Sequence, residues 1–371
     1  MGIIVEFNDM SNITYSEYVL TGFYILKEKG VIDRLKINYK PGVWPILFYK
    51  GVNAIKRILH MRLPSTTETW ANIPGTIYDG KRRSKFIINI LDTPWDFGAS
   101  RLLDEADLIF KTQYPKDFKK GYARISKRVQ IKLSEEIMRN SHKVRPLLVG
   151  RPLSRIFDFK KNKKILSIYE KVRKGYPRKY SVLVYLGMQH DPVVIENTHH
   201  PHYKRVDFVL YAHKNIPRAK IIFKPSHEEP FRSAIPKEAM ELANYEKITD
   251  KYYLSLMQNS YSTLNITGLR GCISWRMTDA FLSGMVAISD NTYVEWYEPL
   301  IPGKDFLSLG DLGYELMEDI DFEGSCKKLK EYSENIEEIF KNTLDYRDER
   351  FRNYYSPEMA ARYILREAGV L

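Results

Sequence analysis

Short apolar runs alternate along the chain with stretches whose apolar residues recur every three to four positions. The first run, Ile3-Ile4-Val5-Glu6-Phe7, reads as a β-strand, and after Asn8 and Asp9 the stretch from Ser16 to Lys29 carries helical spacing. Runs at Trp44–Tyr49, Phe86–Leu91 and Leu108–Phe110 predict further strands, separated by helical or turn-rich segments. One open, mostly parallel sheet with helices is therefore expected in the N-terminal half. A basic helical stretch, about Asn162 to Lys174, runs into Gly175-Tyr176-Pro177-Arg178-Lys179, whose turn residues and low apolar content mark a boundary. A second α/β series follows. Its predicted strands are Tyr180–Leu186, Lys220–Lys224, Ser262–Ile266 and Met285–Ser289, and its helices lie near Lys204–His213, Asp250–Gln258 and Ser274–Ser283. After Leu309 the pattern turns to charged amphipathic helix, from Cys326 to about Asn342 and again from Pro357 to Glu367.

The expected organisation is thus α/β in two domains, 1–176 and 177–330, the second repeating the architecture of the first. The C-terminal helices over 331–371 either pack back across the junction or cap the second sheet. A length of 371 residues agrees, since one hydrophobic core rarely serves a chain beyond about 250–300 residues. Hydrophobic residues at 44% and charged residues at 28% are globular proportions and exclude extended disorder.

Two cysteines, Cys272 and Cys326, are too few for a disulfide framework and lack metal-ligand spacing. The opening Gly2-Ile3-Ile4-Val5-Glu6 has no basic-then-apolar order, and no apolar run approaches 18 residues. A cytoplasmic protein, peripheral at most at the inner membrane face, is expected. Net charge is +12, yet residues 1–180 hold 36 Lys+Arg against 17 Asp+Glu, whereas residues 181–371 hold 22 against 29. The positive half is expected to attract a polyanion or an anionic membrane surface, with a solvated basic face as the alternative.

The segment from Asn265 to Asp290 carries the most chemistry. A strand runs into Gly268-Leu269-Arg270-Gly271, then into a helix starting near Ser274, then into a buried strand. Glycines let backbone approach a ligand closely, and the free amides at a helix start attract anions. Ser274 reads as an N-cap, and Arg270 and Arg276 bring two guanidinium groups suited to a diphosphate. Arg276, Asp279, Ala280 and Ser283 share one helix face, so Asp279 is placed to accept hydrogen bonds from a ribose. The alternative is a surface helix terminus on which Asp279 and Arg276 pair with each other.

The run from Asn259 to Tyr297 resembles the donor-binding region of GT-B glycosyltransferases, the exostosin-like and related branches above all. The matching positions are Gly268, Ser274, Arg276, Asp279, Ala280 and Gly284. The resemblance implies two Rossmann-like domains in GT-B architecture, with a nucleotide-sugar donor in the C-terminal half. It also implies that Ser274 and Arg276 contact the diphosphate and Asp279 the ribose. Asp279 stands where the family more often has Glu, and the Glu-x7-Glu spacing of many retaining members is absent, because Ala287 lies eight residues on. Transfer of a sugar with inversion, to a glycan or lipid-linked acceptor hydroxyl in surface polysaccharide assembly, is the resulting expectation. No metal and no cofactor beyond the donor are required.

Lys224 ends the predicted strand Lys220–Lys224 at the edge where open α/β sheets bind ligands, and is expected to be a further cation for the diphosphate or an ordinary strand-end lysine. An inverting transfer also needs a general base. The segment Ile90-Leu91-Asp92-Thr93-Pro94-Trp95-Asp96-Phe97 offers two carboxylates about a rigid turn, with an aromatic ring suited to stacking on a sugar. Asp96 and then Asp92 are the candidates, with Asp9 in reserve. The alternative is a turn in which Asp92 bonds to its own backbone. His199, His200 and His202, with His190 nearby, match no zinc spacing and read as a polar loop. Two rival readings remain: a nucleotide-sugar epimerase of the same fold, and a basic nucleic-acid or anionic-membrane binding protein. No nucleic-acid recognition motif supports the latter.

Overall fold

The computed structural model describes residues 2–8, 16–38, 71–98, 100–153, 158–187, 201–225, 232–233, 235–267, 271–312 and 320–371. The chain divides into two compact units: Met1–Tyr114 with Leu133–Phe159 and Pro357–Leu371, and Pro115–Lys132 with Lys160–Ser356. The expected strand Trp44–Tyr49 and the reserve Asp9 lie outside the described residues.

The first unit is built on strands β1 (Ile4–Asn8), β2 (Arg34–Asn38), β3 (Asn72–Tyr78), β4 (Arg83–Asn89), β5 (Leu108–Lys111) and β6 (Val144–Pro146), in the order β2-β1-β3-β4-β5-β6. Helix α1 (Glu17–Glu28) falls where the apolar spacing predicts it. The sheet departs from the expected parallel pattern in one strand, because β3 runs antiparallel to both β1 and β4. Pro74 and Gly75 hide this strand in the sequence. Within β3, β1 pairs with Gly75–Tyr78 and not with Pro74, so the missing N–H of Pro74 breaks no bond on that side. A side chain at Gly75 would meet the Phe86 ring, its Cβ 2.3 Å from Cζ. Phe86 is needed there, since it packs edge-on against Phe7, as Phe23 does, with centroids 5.5 Å apart in each pair. Such pairs add about 0.5–1.5 kcal/mol each beyond area burial. The C-terminal helix Pro357–Glu367 belongs to this unit: Tyr363 stacks edge-on with Phe110, and Glu367 pairs with Arg145 at 2.6 Å.

The second unit has the architecture its pattern predicts. Strands β7 (Tyr180–Gly187), β8 (Lys220–Lys224), β9 (Ser260–Asn265), β10 (Val286–Ser289) and β11 (Leu307–Ser308) form an all-parallel sheet in the order β8-β7-β9-β10-β11. Helices α2 (Phe159–Arg173), α3 (Pro201–Asn215), α4 (Asp250–Gln258) and α5 (Arg276–Ser283) accompany it. It is a Rossmann-like α/β unit. Val182, Val184, Leu186, Leu264 and Ile288 form the centre of its core. Central strand β9 is buried throughout although four of its six residues are polar. It tolerates this because hydroxyls donate to nearby carbonyls, Ser262 to Ser181 at 2.8 Å and Ser260 to Leu256 at 2.7 Å.

The boundary also differs from the expected one. Helix α2 belongs to the second unit from Lys160 onward, and the turn after it is no loose linker. Arg178 is buried there and donates to the carbonyls of Val172, Ser260 and Ser283 at 3.0, 2.7 and 3.1 Å. Burial pushes its guanidinium down to about 10. The stretch expected as one helix from Cys326 is two, α6 (Phe322–Glu334) and α7 (Ile336–Arg350), interrupted at Asn335, whose side chain donates to the Glu331 carbonyl. Both sit in the second unit, so the residues beyond 331 are divided between the units.

Candidate functional site

The order β8-β7-β9-β10-β11 reverses direction between β7 and β9. The chain leaves β7 toward α3 and β8, and leaves β9 toward α5 and β10, so a crevice opens beyond the C-terminal ends of these two strands. Ser274 and Arg276 stand at this edge. The Ser274 hydroxyl donates to Asn265 Oδ1 at 2.9 Å and accepts from the Arg276 backbone N–H at 3.1 Å, although the helix itself begins two residues after Ser274. The Arg276 guanidinium lies 5.2 Å from the ring centroid of Tyr185, at the end of β7, and 5.3 Å from that of Trp275. Among the described residues its buried Nε has no hydrogen-bond partner and its Nη1 reaches only Ser274 Oγ, at 3.5 Å. Two aromatic faces thus hold a cation whose planar donors remain largely unused.

Asp279 does not pair with Arg276. It is fully buried, and its carboxylate accepts from the Tyr253 hydroxyl at 2.8 Å. Tyr253 in turn packs edge-on against both Tyr185 and Trp275, with centroids 5.4 and 6.2 Å away. Lys224 ends edge strand β8, half-buried, with Nζ donating to the Glu246 carbonyl at 2.7 Å. Gly268 and Arg270 lie outside the described residues, as do His190, His199 and His200. Gly271 turns with φ +71°, and any Cβ there would come within 2.8 Å of the Ile125 carbonyl oxygen.

Sequence reading missed the groups that set this edge. Asp290, just past β10, is fully buried and accepts from the Thr267 N–H at 2.7 Å and the Thr267 hydroxyl at 2.5 Å. Burial pushes its carboxyl up to about 6, while the Thr267 bonds and the nearby Lys204 charge pull it back. Arg205 on α3 donates to the carbonyls of Gly187, Ile266 and Thr267 at 2.6, 3.4 and 3.4 Å, tying the ends of β7 and β9 together. An acid directly after a buried strand, at the C-terminal sheet edge, was the available signal for Asp290.

The second candidate region lies in the first unit, on the turn after β4. Lys111, at the end of β5, is fully buried and donates to Asn89 Oδ1, the Leu91 carbonyl and the Asp96 carbonyl at 2.7, 3.2 and 2.9 Å. Its Nζ also lies 4.9 Å from the Phe97 ring centroid. The Phe97 carbonyl accepts from both Asn72 and Asn89 side chains, at 3.0 and 2.9 Å. Asp96 makes the local side-chain turn, Oδ1 accepting from Gly98 N–H at 2.8 Å, where the sequence suggests Asp92. Asp92 is exposed, with Oδ1 3.5 Å from Gln113 Nε2. Trp95 and Asp96 border an open cleft of about 400 Å³ that Ser134 and Glu136 also line.

No family model and no curated protein matches the chain. Among solved structures, one described as the crystal structure of a GtfA/B complex is similar at a TM-score of 0.30 and 14% identity, over 79% of this chain and 62% of that one. So slight a likeness carries no functional argument. Among the described residues no helix is long and apolar enough to cross a membrane.

Proposed function

We propose that the chain is a glycosyltransferase of GT-B type that moves a sugar from a nucleotide-sugar donor to a glycan or lipid-linked acceptor hydroxyl, with inversion, in surface polysaccharide assembly. The observation that carries this reading is the Arg276 guanidinium, held between Tyr185 and Trp275 at the strand-order reversal with its donors largely unused. Such a group suits bidentate contact with a diphosphate. Ser274, Gly268 and Arg270 complete the donor loop, and Lys224 supplies a further cation. Asp279 acts through Tyr253, fixing the two rings that hold Arg276, instead of meeting the ribose.

In the reaction the acceptor oxygen attacks the anomeric carbon as the bond to the diphosphate oxygen breaks, and that oxygen keeps the electron pair. Arg276 and Lys224 stabilise the charge that develops there, so no metal is required. The acceptor proton passes to Asp96 Oδ2, its other oxygen being engaged by Gly98, with Asp92 as the alternative base. Exposed Lys160, Lys164 and Lys171 on α2 support peripheral contact with an anionic membrane.

The test is a thermal-shift screen of UDP, GDP, CMP and ADP against wild type and Arg276→Ala. One nucleotide is expected to raise the Tm of wild type and leave the variant unmoved, because a ligand stabilises only the state that binds it. A folded protein that responds to none of the four overturns the reading.

A further inference from the structure

The cleft beside the Asp96 turn contradicts the charge of the half of the chain that contains it. Residues 1–180 are strongly basic, yet among the described residues no Lys, Arg or His lines this cleft, whereas two carboxylates do, Asp96 and Glu136. Lys111 lies beneath the turn and offers no donor upward, since it already serves three oxygens, on Asn89, Leu91 and Asp96. The remaining lining combines the half-buried Trp95 with apolar Leu103 and Ile137 and the Ser134 hydroxyl, whose oxygen accepts from Ile137 N–H. About 400 Å³ lies within the roughly 300–1,000 Å³ range of small-molecule sites.

A carboxylate only accepts hydrogen bonds, so the ligand must bring the donors. An aromatic ring with an apolar flank asks for a ligand that also has an apolar face. A sugar ring answers both demands, with C–H groups on one face and hydroxyls at its edge. A ring bearing its own carboxylate would bring a third negative charge beside these two, with no cation among the described lining residues, a repulsion worth about tenfold or more in affinity.

We infer that this cleft is a saccharide subsite for neutral or amine-bearing sugar rings that rejects acidic ones, with Trp95 as the stacking surface and Glu136 as the group that sets the selection. The inference rests on the proposed function in taking Asp96 to face the acceptor. The basic surface of the N-terminal half then attracts an anionic carrier or membrane, while the ring seated beside Asp96 is itself uncharged or cationic.

The test uses the full chain and isothermal titration with three probes: a methyl glucoside, a methyl glucosaminide carrying a free amine, and a methyl glucuronide. Wild type is expected to bind the first two and to bind the glucuronide at least about tenfold more weakly. Glu136→Gln is expected to narrow that gap severalfold, and Trp95→Ala to weaken all binding at least about tenfold, with Trp95→Leu substituting should the alanine variant fail to fold. Equal binding of glucuronide and glucoside, no binding of any probe by wild type, or binding indifferent to both positions overturns the inference. Arg276→Ala separates the two readings. Selective sugar binding that persists in this variant, alongside a failed nucleotide screen, keeps the subsite and removes the transferase.

Discussion

The two candidate regions share a plan and differ in the sign of the ion at its centre. In the first unit, parallel strands β4 and β5 end side by side at Asn89 and Lys111, and the buried cation gathers carbonyl and amide oxygens from the turn above it. In the second unit, parallel strands β9 and β10 end side by side at Asn265 and Ser289, and the buried anion Asp290, one residue on, gathers the N–H and O–H of Thr267. A buried ion orders whichever backbone polarity complements it, carbonyls around Lys111 and an N–H at Asp290. Carboxylates face out over the cation at Asp96, and a guanidinium stands at the edge built over the anion, at Arg276. The pairing teaches that a ligand-facing charge is read more safely from the loop it stands on than from the net charge of its half of the chain.

The largest expected effect breaks the cationic anchor. Lys111→Met leaves three buried or half-buried oxygens without a donor and is expected to cost about 4 kcal/mol in urea unfolding, together with glycoside binding in the cleft. A loss below about 1 kcal/mol would mean that the turn is held by packing alone.

The anionic anchor is expected to show itself through pH. Asp290 has its folded-state pKa raised to about 6, against 3.8 for the ordinary group. The folded state therefore binds the extra proton between these values, and the stability it contributes, complete below the lower one, is lost as pH rises through 6. Asp290→Asn removes that loss while keeping the shape. Between pH 4.5 and 7.5 the variant is expected to gain roughly 2 kcal/mol on wild type, read as the difference of two unfolding curves at each pH. A difference that stays flat with pH would show that Asp290 keeps an ordinary pKa.

Thr267→Val sharpens the same contrast. It removes the Thr267 hydroxyl donor to Asp290, and is expected to cost about 1 kcal/mol near neutral pH and to move the Asp290 midpoint upward. Asp92→Asn, on an exposed side chain outside both anchors, is expected to change stability by less than about 0.5 kcal/mol. Loss of transfer activity in that variant with full activity in Asp96→Asn would exchange the two carboxylates as base candidates.

Most of the second unit is legible in the amino-acid pattern, because its elements announce themselves over a few residues. Asp250–Gln258 has the predicted bounds, and Tyr180–Gly187, Lys220–Lys224 and Val286–Ser289 fall within two residues of theirs. Helix α1 and the C-terminal helix are legible for the same reason. Strand β3 is not, since Pro74 and Gly75 read locally as a turn and become strand only against Phe86 and the short reach of β1. The meaning of Asp279 is hidden in a similar way: its helical face follows from spacing, but its partner Tyr253 lies on α4, 26 residues back.

By itself the sequence determined the alternation of elements, the reversal of charge between the halves, and the glycine, serine and arginine of the loop after β9, because periodicity, turn chemistry and capping act between near neighbours. Only the tertiary structure decided that β3 runs antiparallel, that the last helix joins the first unit, and that Lys111 and Asp290 are buried ions. Those outcomes depend on which distant segments come to exclude water from one another, and burial is what turns an ordinary lysine or aspartate into the anchor of a site.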